Sequence, residues 1–278
     1  MNTNPSPSNA QDGELLPALS AIAQDAGRRL LSAFSAGARP ASRDAVLAAM
    51  LRNEALVAAG LRDALTALRP SAGWREDAGQ GEGEPLPAGE WWVVDAVEGN
   101  VNHVHGLRDW GVTVTLVRDR QPVAAVVHQP LEALTWTAVR GGGARRNGQP
   151  MRVGAKARLD AAIATTGQAE AGQTDTYARI GHSVGAMLHQ ALLVRMSVPS
   201  TFPLLQLAEG QGDVFWQYAP SLEGIAAGLL MATEAGGIAS RIDGSPWELG
   251  APDILLAAPG LHRAAVAALR ADVVAEVA

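Results

Sequence analysis

Two carboxylates close together after a short apolar segment are the clearest indication of chemistry in this chain. Asp95 and Glu98 lie in the sequence Asp-Ala-Val-Glu-Gly-Asn-Val-Asn, directly after the apolar residues 91–94. Carboxylate and carbonyl oxygens are the ligands that Mg²⁺-type cations prefer. Gly99 lets the backbone approach a ligand closely, and N–H groups at the start of a following helix would bind a phosphate. The alternative is an ordinary turn, since turns also concentrate Asp, Gly and Asn.

The surrounding periodicities predict that this segment ends a strand in a mixed α/β chain. Apolar residues recur every three or four positions in some segments and alternate in others, which separates helices from strands. Helices are predicted over residues 14–34, 44–68, 176–188, 203–209, 222–235 and 260–278, and strands over residues 91–95, 111–117, 123–128, 134–138, 161–165, 191–196, 214–218, 238–242 and 254–257. We therefore expect an α+β half over residues 13–155, which carries the carboxylates, and an α/β half over residues 156–278. Residues 1–12, rich in Asn, Pro and Ser, are expected to form a disordered tail.

Composition excludes several classes of protein. The chain has 278 residues, a formal net charge of −6 and no cysteine. The acidic balance argues against nucleic-acid binding, and the lack of cysteine excludes disulfides, thiolate metal sites and a Cys nucleophile. No apolar run reaches the ~18 residues of a membrane span, and the N-terminus lacks the features of a signal peptide. We expect a cytoplasmic protein with a small-molecule substrate and neither a membrane nor a nucleic-acid partner.

Residues 92–102, followed by His105-Gly106, resemble the strand-end motif Asp-Pro-Ile-Asp-Gly-Thr-Thr-Asn of the inositol monophosphatase superfamily. Residues 140–148 resemble the Gly-rich turn of that family, and residues 226–247 resemble its C-terminal helix, strand and turn. The resemblance implies a layered αβαβα sandwich in which an α+β half and an α/β half share a cleft. It also implies a homodimer that hydrolyses small phosphomonoesters, with carboxylates holding two or three Mg²⁺ ions.

The family's metal positions are only partly kept. The resemblance assigns them to Glu76, Asp95, the backbone carbonyl of Val97, and Glu98, which replaces an Asp. Gly224 stands in the place of a further metal-binding Asp. Because Mg²⁺ requires near-ideal octahedral geometry at about 2.0–2.1 Å, a longer acid disturbs such a site. The sequence therefore favours one Mg²⁺ or Mn²⁺ ion over two or three, with no bound ion as the alternative.

The positions that activate water also differ from the family. Asn100 replaces a Thr that helps orient the nucleophilic water, and an ungapped count places Glu54 at the Asp that pairs with this Thr. His103 replaces a family aromatic; it would be an added metal ligand or a general base, or it fills an aromatic pocket. The backbone N–H groups of Gly99 and Asn100 are expected to bind phosphate.

Three further residues are candidates for contact with the substrate. Arg43 would neutralise a phosphate, or it is a surface charge at a helix start. Gln217 stands where many members have a Glu that reads the substrate. Glu223 precedes the lost Asp by one residue, so it either retains an acid near that place or faces solvent.

These residues predict a divalent-metal-dependent, phosphomonoesterase-like protein with a remodelled metal site, acting on a small phosphorylated polyol, sugar or nucleotide. Two alternatives stay open. One is a pseudo-phosphatase that binds or regulates without turnover. The other is a repurposed biosynthetic enzyme that uses the same cleft for acid/base chemistry. Acids at positions 54, 98 and 223 favour remodelling over decay, because a decayed site has no reason to keep charge.

Overall fold

The computed structural model describes residues 7–78, 86–168 and 172–275, and these form two compact units. The first unit contains residues 7–78 and 86–149, and the second contains residues 150–168 and 172–275. The boundary lies at residue 150 rather than at the expected residue 156. Each unit is built on one β-sheet, of seven strands in the first and five in the second.

The first unit is a meander covered by two long helices. Its helices are α1 (Pro7–Ala33), α2 (Arg43–Leu68) and α3 (Asn100–Val104). Its sheet contains β1 (Gly73–Trp74), β2 (Glu90–Glu98), β3 (Gly111–Arg118), β4 (Gln121–Gln129), β5 (Leu134–Val139), β6 (Gly143–Arg146) and β7 (Gln149–Pro150). The strands lie in chain order; β1 is parallel to β2, and the strands from β2 to β6 are antiparallel.

The apolar stripes of α1 and α2 form the core of this unit against the sheet. Leu19 and Leu30 from α1 are buried with Leu61 and Leu65 from α2. The inner strand β3 contributes alternate residues to the same cluster, which include Val112, Val114 and Leu116. Since α2 packs against this core along one face, the polar residues on that face are held at fixed positions beside the end of β2.

The start of α1 corrects the expectation of a tail over residues 1–12. The helix begins at Pro7, and residues 1–6 lie outside the described residues. The side chain of Asp12 is only 4% exposed and accepts hydrogen bonds from both terminal nitrogens of Arg118, at 2.9 and 2.7 Å. Arg118 also donates to Glu90 at 2.8 Å. This ion-pair network joins the first turns of α1 to the start of β2 and the end of β3.

The second unit is an α/β arrangement. Its helices are α4 (Asp175–Leu188), α5 (Thr201–Ala208), α6 (Leu222–Glu234) and α7 (His262–Ala275). Its strands are β8 (Ile163–Gly167), β9 (Leu193–Ser197), β10 (Val214–Tyr218), β11 (Ile238–Ser240) and β12 (Asp253–Ala257). The order is β11-β12-β10-β8-β9, with β8 parallel to β9 and β10, and β12 antiparallel to β10 and β11.

The predicted elements of this unit are present with shifted ends. The strand expected over residues 161–165 lies at Ile163–Gly167, because Leu159–Ala161 form a single 3-10 turn. In the part of the chain that the structure describes, no helix has both the length and the apolar character needed to cross a bilayer.

We predict that Asp12→Asn lowers the free energy of unfolding by about 2 kcal/mol, because the guanidinium of Arg118 then lacks its buried carboxylate partner. Asp25→Asn is the matched control. Asp25 is half exposed in its pairs with Arg28 and Arg29, and such pairs contribute less than about 1 kcal/mol. Urea denaturation of both variants measures the difference. Equal losses would show that the Asp12 pair does not anchor α1.

Candidate functional site

The turn after β2 is organised by its own polar groups. The pairing of β2 with β3 becomes irregular between Asp95 and Glu98. Within this irregularity the backbone N–H of Val97 donates to Asp95 Oδ1 at 3.0 Å. Gly99 then adopts a left-handed conformation, with φ 71°, and caps the start of α3. A side chain disfavours this conformation, so the glycine sets the direction in which the chain enters α3.

A hydrogen bond joins the start of α3 to α2. Asn100 Nδ2 donates to Glu54 Oε1 and to the backbone carbonyl of Met50, both at 3.1 Å. Its Oδ1 accepts from Asn53 Nδ2 at 2.8 Å. The ungapped count that set Glu54 opposite Asn100 therefore agrees with an observed contact. Because both amide hydrogens of Asn100 are donated, this side chain holds Glu54 and has no hydroxyl proton to pass on.

Burial alters the acidity of Glu54. Loss of hydration raises the pKa of its carboxyl above the ordinary value, and the negative charge of Glu76 raises it further. The hydrogen bond from Asn100 opposes part of this rise in pKa. A carboxylate whose pKa moves toward neutrality is suited to accept and return a proton.

His103 lies in the core, which corrects the expectation that it is a general base or a metal ligand. The residue is 3% exposed. Its Nε2 lies 3.0 Å from the backbone carbonyl of Leu30, and its Nδ1 lies 2.9 Å from Asn53 Nδ2. The ring packs edge-on against Phe34 and Trp110, with centroids 5.4 and 4.6 Å away. Both nitrogens are occupied, so the ring fills an aromatic pocket, which was the alternative interpretation.

The predicted metal ligands lie in different surroundings. Glu98 is 2% exposed, whereas the side chain of Glu76 is 67% exposed and lies 3.4 Å from the guanidinium of Arg62. Within residues 7–78, 86–168 and 172–275, no three acidic or histidine side chains lie together as a metal site would require. The assignment of Glu76, Asp95, Val97 and Glu98 as ligands stays a prediction.

The remaining candidates lie apart from the Glu54–Asn100 pair or in the second unit. Arg43 is the first residue of α2 and is exposed; at 1.5 Å per residue it lies about 16 Å along the helix axis from Glu54. Gln217 is buried on β10 and accepts a 2.7 Å hydrogen bond from Ser200 Oγ. Glu223 lies in the first turn of α6.

Asn53 is the residue that the sequence analysis missed. It is 6% exposed and contacts both Asn100 and His103. The signal was present in the spacing, because Asn53 continues toward the N-terminus the inward stripe of α2 formed by Val57, Leu61 and Leu65. A polar side chain on an otherwise apolar stripe needs a buried hydrogen-bond partner, and that partner could not be identified from sequence.

Comparison with known proteins agrees with this architecture. The sequence model of the inositol monophosphatase family matches residues 13–275. An inositol-1-monophosphatase of Rhizobium meliloti is 31% identical over 192 residues, which cover 68% of this chain and 71% of the relative. The Nus factor SuhB of Pseudomonas aeruginosa is 31% identical over 171 residues, which cover 61% of this chain and 63% of the relative.

Solved structures show the same fold. The inositol monophosphatase of Zymomonas mobilis matches with a TM-score of 0.78 at 19% identity, covering 93% of this chain and 98% of that one. That of Anabaena matches with a TM-score of 0.75 at 22% identity, covering 94% and 96%. The predicted α/β fold class is confirmed. Since the family match spans nearly the whole sequence, this chain belongs to the inositol monophosphatase family, whose members are divalent-metal-dependent phosphomonoesterases.

Proposed function

We propose that this chain is a phosphomonoesterase with a remodelled site, acting on a small phosphorylated polyol, sugar or nucleotide, and that Glu54 is its acid/base group. The observation that carries the proposal is the hydrogen bond of 3.1 Å between Asn100 Nδ2 and Glu54 Oε1. This bond joins the two positions that the family resemblance pairs, although Asn100 replaces a Thr and Glu54 replaces an Asp. A pairing kept through two substitutions supports a site in use.

Glu54 must receive the proton directly in this scheme. A hydroxyl between water and a carboxylate can accept one proton while it donates another, but an amide cannot. In the proposed reaction the water oxygen bonds to phosphorus, its proton passes to Glu54 Oε2, and the ester P–O bond breaks. The departing alkoxide takes a proton from solvent. The raised pKa of Glu54 makes its carboxylate a stronger base for the first proton transfer.

Phosphate recognition is assigned to the start of α3. The left-handed Gly99 turns the backbone there, and the N–H groups of Gly99 and Asn100 are the proposed contacts. Arg43, Gln217 and Glu223 remain secondary candidates for contact with the substrate. His103 is left out of the reacting groups because both its nitrogens are occupied.

The metal part of the proposal is limited to one Mg²⁺ or Mn²⁺ ion, with no ion as the alternative. Asp95, Glu76, Glu98 and the carbonyl of Val97 are the proposed ligands, and no step above passes through the ion. We further propose a cytoplasmic homodimer without a membrane or nucleic-acid partner.

We predict that Glu54→Gln lowers the hydrolysis of inositol 1-phosphate or p-nitrophenyl phosphate by about 10²–10⁴-fold, because the amide cannot accept the proton of water. Phosphate release in Mg²⁺ and in Mn²⁺ measures this change. Glu132→Gln is the control, since Glu132 is a half-exposed carboxylate paired with Arg108. Hydrolysis by Glu54→Gln at the wild-type rate would remove Glu54 from the reaction.

Calorimetric titration with Mn²⁺ and Mg²⁺ tests the metal part. We expect at most one ion per chain, bound more tightly when phosphate is present, and no binding by Asp95→Asn. Two or three ions per chain would contradict the limit drawn from the described donor residues.

The second candidate is a protein that binds phosphorylated compounds without turnover. It is favoured because, among the described residues, no three acidic or histidine side chains lie together. Glu98→Asp combined with Gly224→Asp separates the two. Our proposal predicts that this double variant hydrolyses more slowly than wild type, because it disturbs a site in use. A large gain in hydrolysis would identify a decayed or diverted site. Position 224 accepts a side chain with a small shift, since an added Cβ would meet only Ser221 Oγ, at 2.9 Å.

A further inference from the structure

We propose that Asn53 is a positioning residue for Glu54: together with a single neutral tautomer of His103, it orients the amide of Asn100 so that Glu54 is always the hydrogen-bond acceptor. This inference rests on the proposed role of Glu54. It is carried by a continuous chain of contacts from the end of α1, through α2 and α3, to the carboxylate.

His103 is the first residue that fixes which group donates and which accepts along this series of hydrogen bonds. The backbone carbonyl of Leu30 only accepts hydrogen bonds, so the Nε2 of His103, 3.0 Å away, must carry a proton. In the neutral ring Nδ1 then has a lone pair. Asn53 Nδ2, 2.9 Å from Nδ1, is therefore the donor.

The direction is set a second time at the carboxylate. Ionised Glu54 and the backbone carbonyl of Met50 both only accept, so the Asn100 atom 3.1 Å from each must be the amide nitrogen. The amide oxygen of Asn100 then faces Asn53 at 2.8 Å, and Asn53 must again donate. The contacts at His103 and at Glu54 therefore assign the same orientation to the Asn53 amide. Its two hydrogens go to His103 Nδ1 and to Asn100 Oδ1.

Because these side chains are buried, a change in which of them donate and which accept is costly. Asn53, Asn100 and His103 are 6%, 7% and 3% exposed, so water cannot replace a lost partner at low cost. The groups that face the His103 ring are the Leu30 carbonyl, the Asn53 amide, and the rings of Phe34 and Trp110. Loss of hydration lowers the pKa of His103, opposed by its bond to Leu30, and no charged group contributes to this shift.

Protonation of His103 would reverse the roles of donor and acceptor between its Nδ1 and the Asn53 amide. A proton on Nδ1 would face the N–H of Asn53, so the Asn53 amide would have to rotate and present its oxygen. Asn100 would then lose its donor, and the orientation that holds Glu54 would no longer be favoured. Because the folded-state pKa is lowered, the native protein binds fewer protons than the unfolded chain below about pH 6.5. The stability that neutral His103 contributes is therefore present above that pH and is lost as the pH falls.

The test is imidazole ¹⁵N NMR of the wild-type protein and of Asn53→Asp. In the wild type we expect one His103 signal pattern with the proton on Nε2 and a bare Nδ1 at pH 7–8. The isosteric Asn53→Asp removes both donors, so we expect a proton on Nδ1. We also expect the ¹³C carboxyl titration of Glu54 to move to higher pH. Asn102→Asp is the matched control: Asn102 is another buried amide of α3 and donates to the backbone carbonyl of Asp109. It should leave the His103 tautomer unchanged.

A wild-type proton on Nδ1 overturns the inference, and it does so even where Asn53→Asp fails to fold. An unchanged His103 and Glu54 titration in folded Asn53→Asp overturns it as well. These readouts do not depend on turnover, so an inactive protein with the expected tautomer would contradict the proposed function alone. In an active protein we expect Asn53→Ser to lower kcat roughly tenfold with little change in KM. The Glu54 carboxylate is then held less firmly in position but can still accept the proton.

Discussion

The hydrogen bond between the buried amides of Asn53 and Asn100 is the contact on which the rest of the candidate site depends. It ties α2 to the first residue of α3, and through Asn100 it sets where the carboxylate of Glu54 lies. Neither amide could hold its place without the core beneath it, in which α1 and α2 pack their apolar stripes on the sheet. Since both side chains are almost fully buried, the pair specifies one relative position of helix and turn, rather than adding much net stability.

The acidic residues near this hydrogen bond lie in different surroundings. A hydroxyl would leave a proton-transfer path between water and the acid on α2, whereas the amide of Asn100 closes it by donating both hydrogens. Glu98 is buried, and Glu76 lies beside a guanidinium at the protein surface. The proposed single ion would therefore draw on carboxylates that differ strongly in exposure. Proton transfer is the role that we propose for Glu54 among these carboxylates.

The elements were predictable because their signals are local, but the site network was not. The three-to-four spacing of Leu15, Leu19 and Ile22 is typical of the signals that predicted α1 and α2, and alternation like that along β3 predicted β2 to β5. The short elements α3, β1, β6 and β7 were not predicted. The pairing of Glu54 with Asn100 also followed from sequence, through the family resemblance. By contrast, neither the start of α1 at Pro7 nor the pairing of Asp12 with the distant Arg118 was predicted. The pocket of His103 is made by Phe34 and Trp110, and no spacing rule brings these residues together.

The order of the network bears on whether the site is remodelled or decayed. A buried donor that faces another donor, or an acceptor that faces another acceptor, costs stability. From Leu30 through His103, Asn53 and Asn100 to Glu54, every donor meets an acceptor, and the directions assigned from the two ends agree. An amide that merely replaced a hydroxyl would not require a second amide behind it, nor a histidine in one tautomer behind that. This agreement supports the proposed remodelled site, in which Glu54 is held in one place.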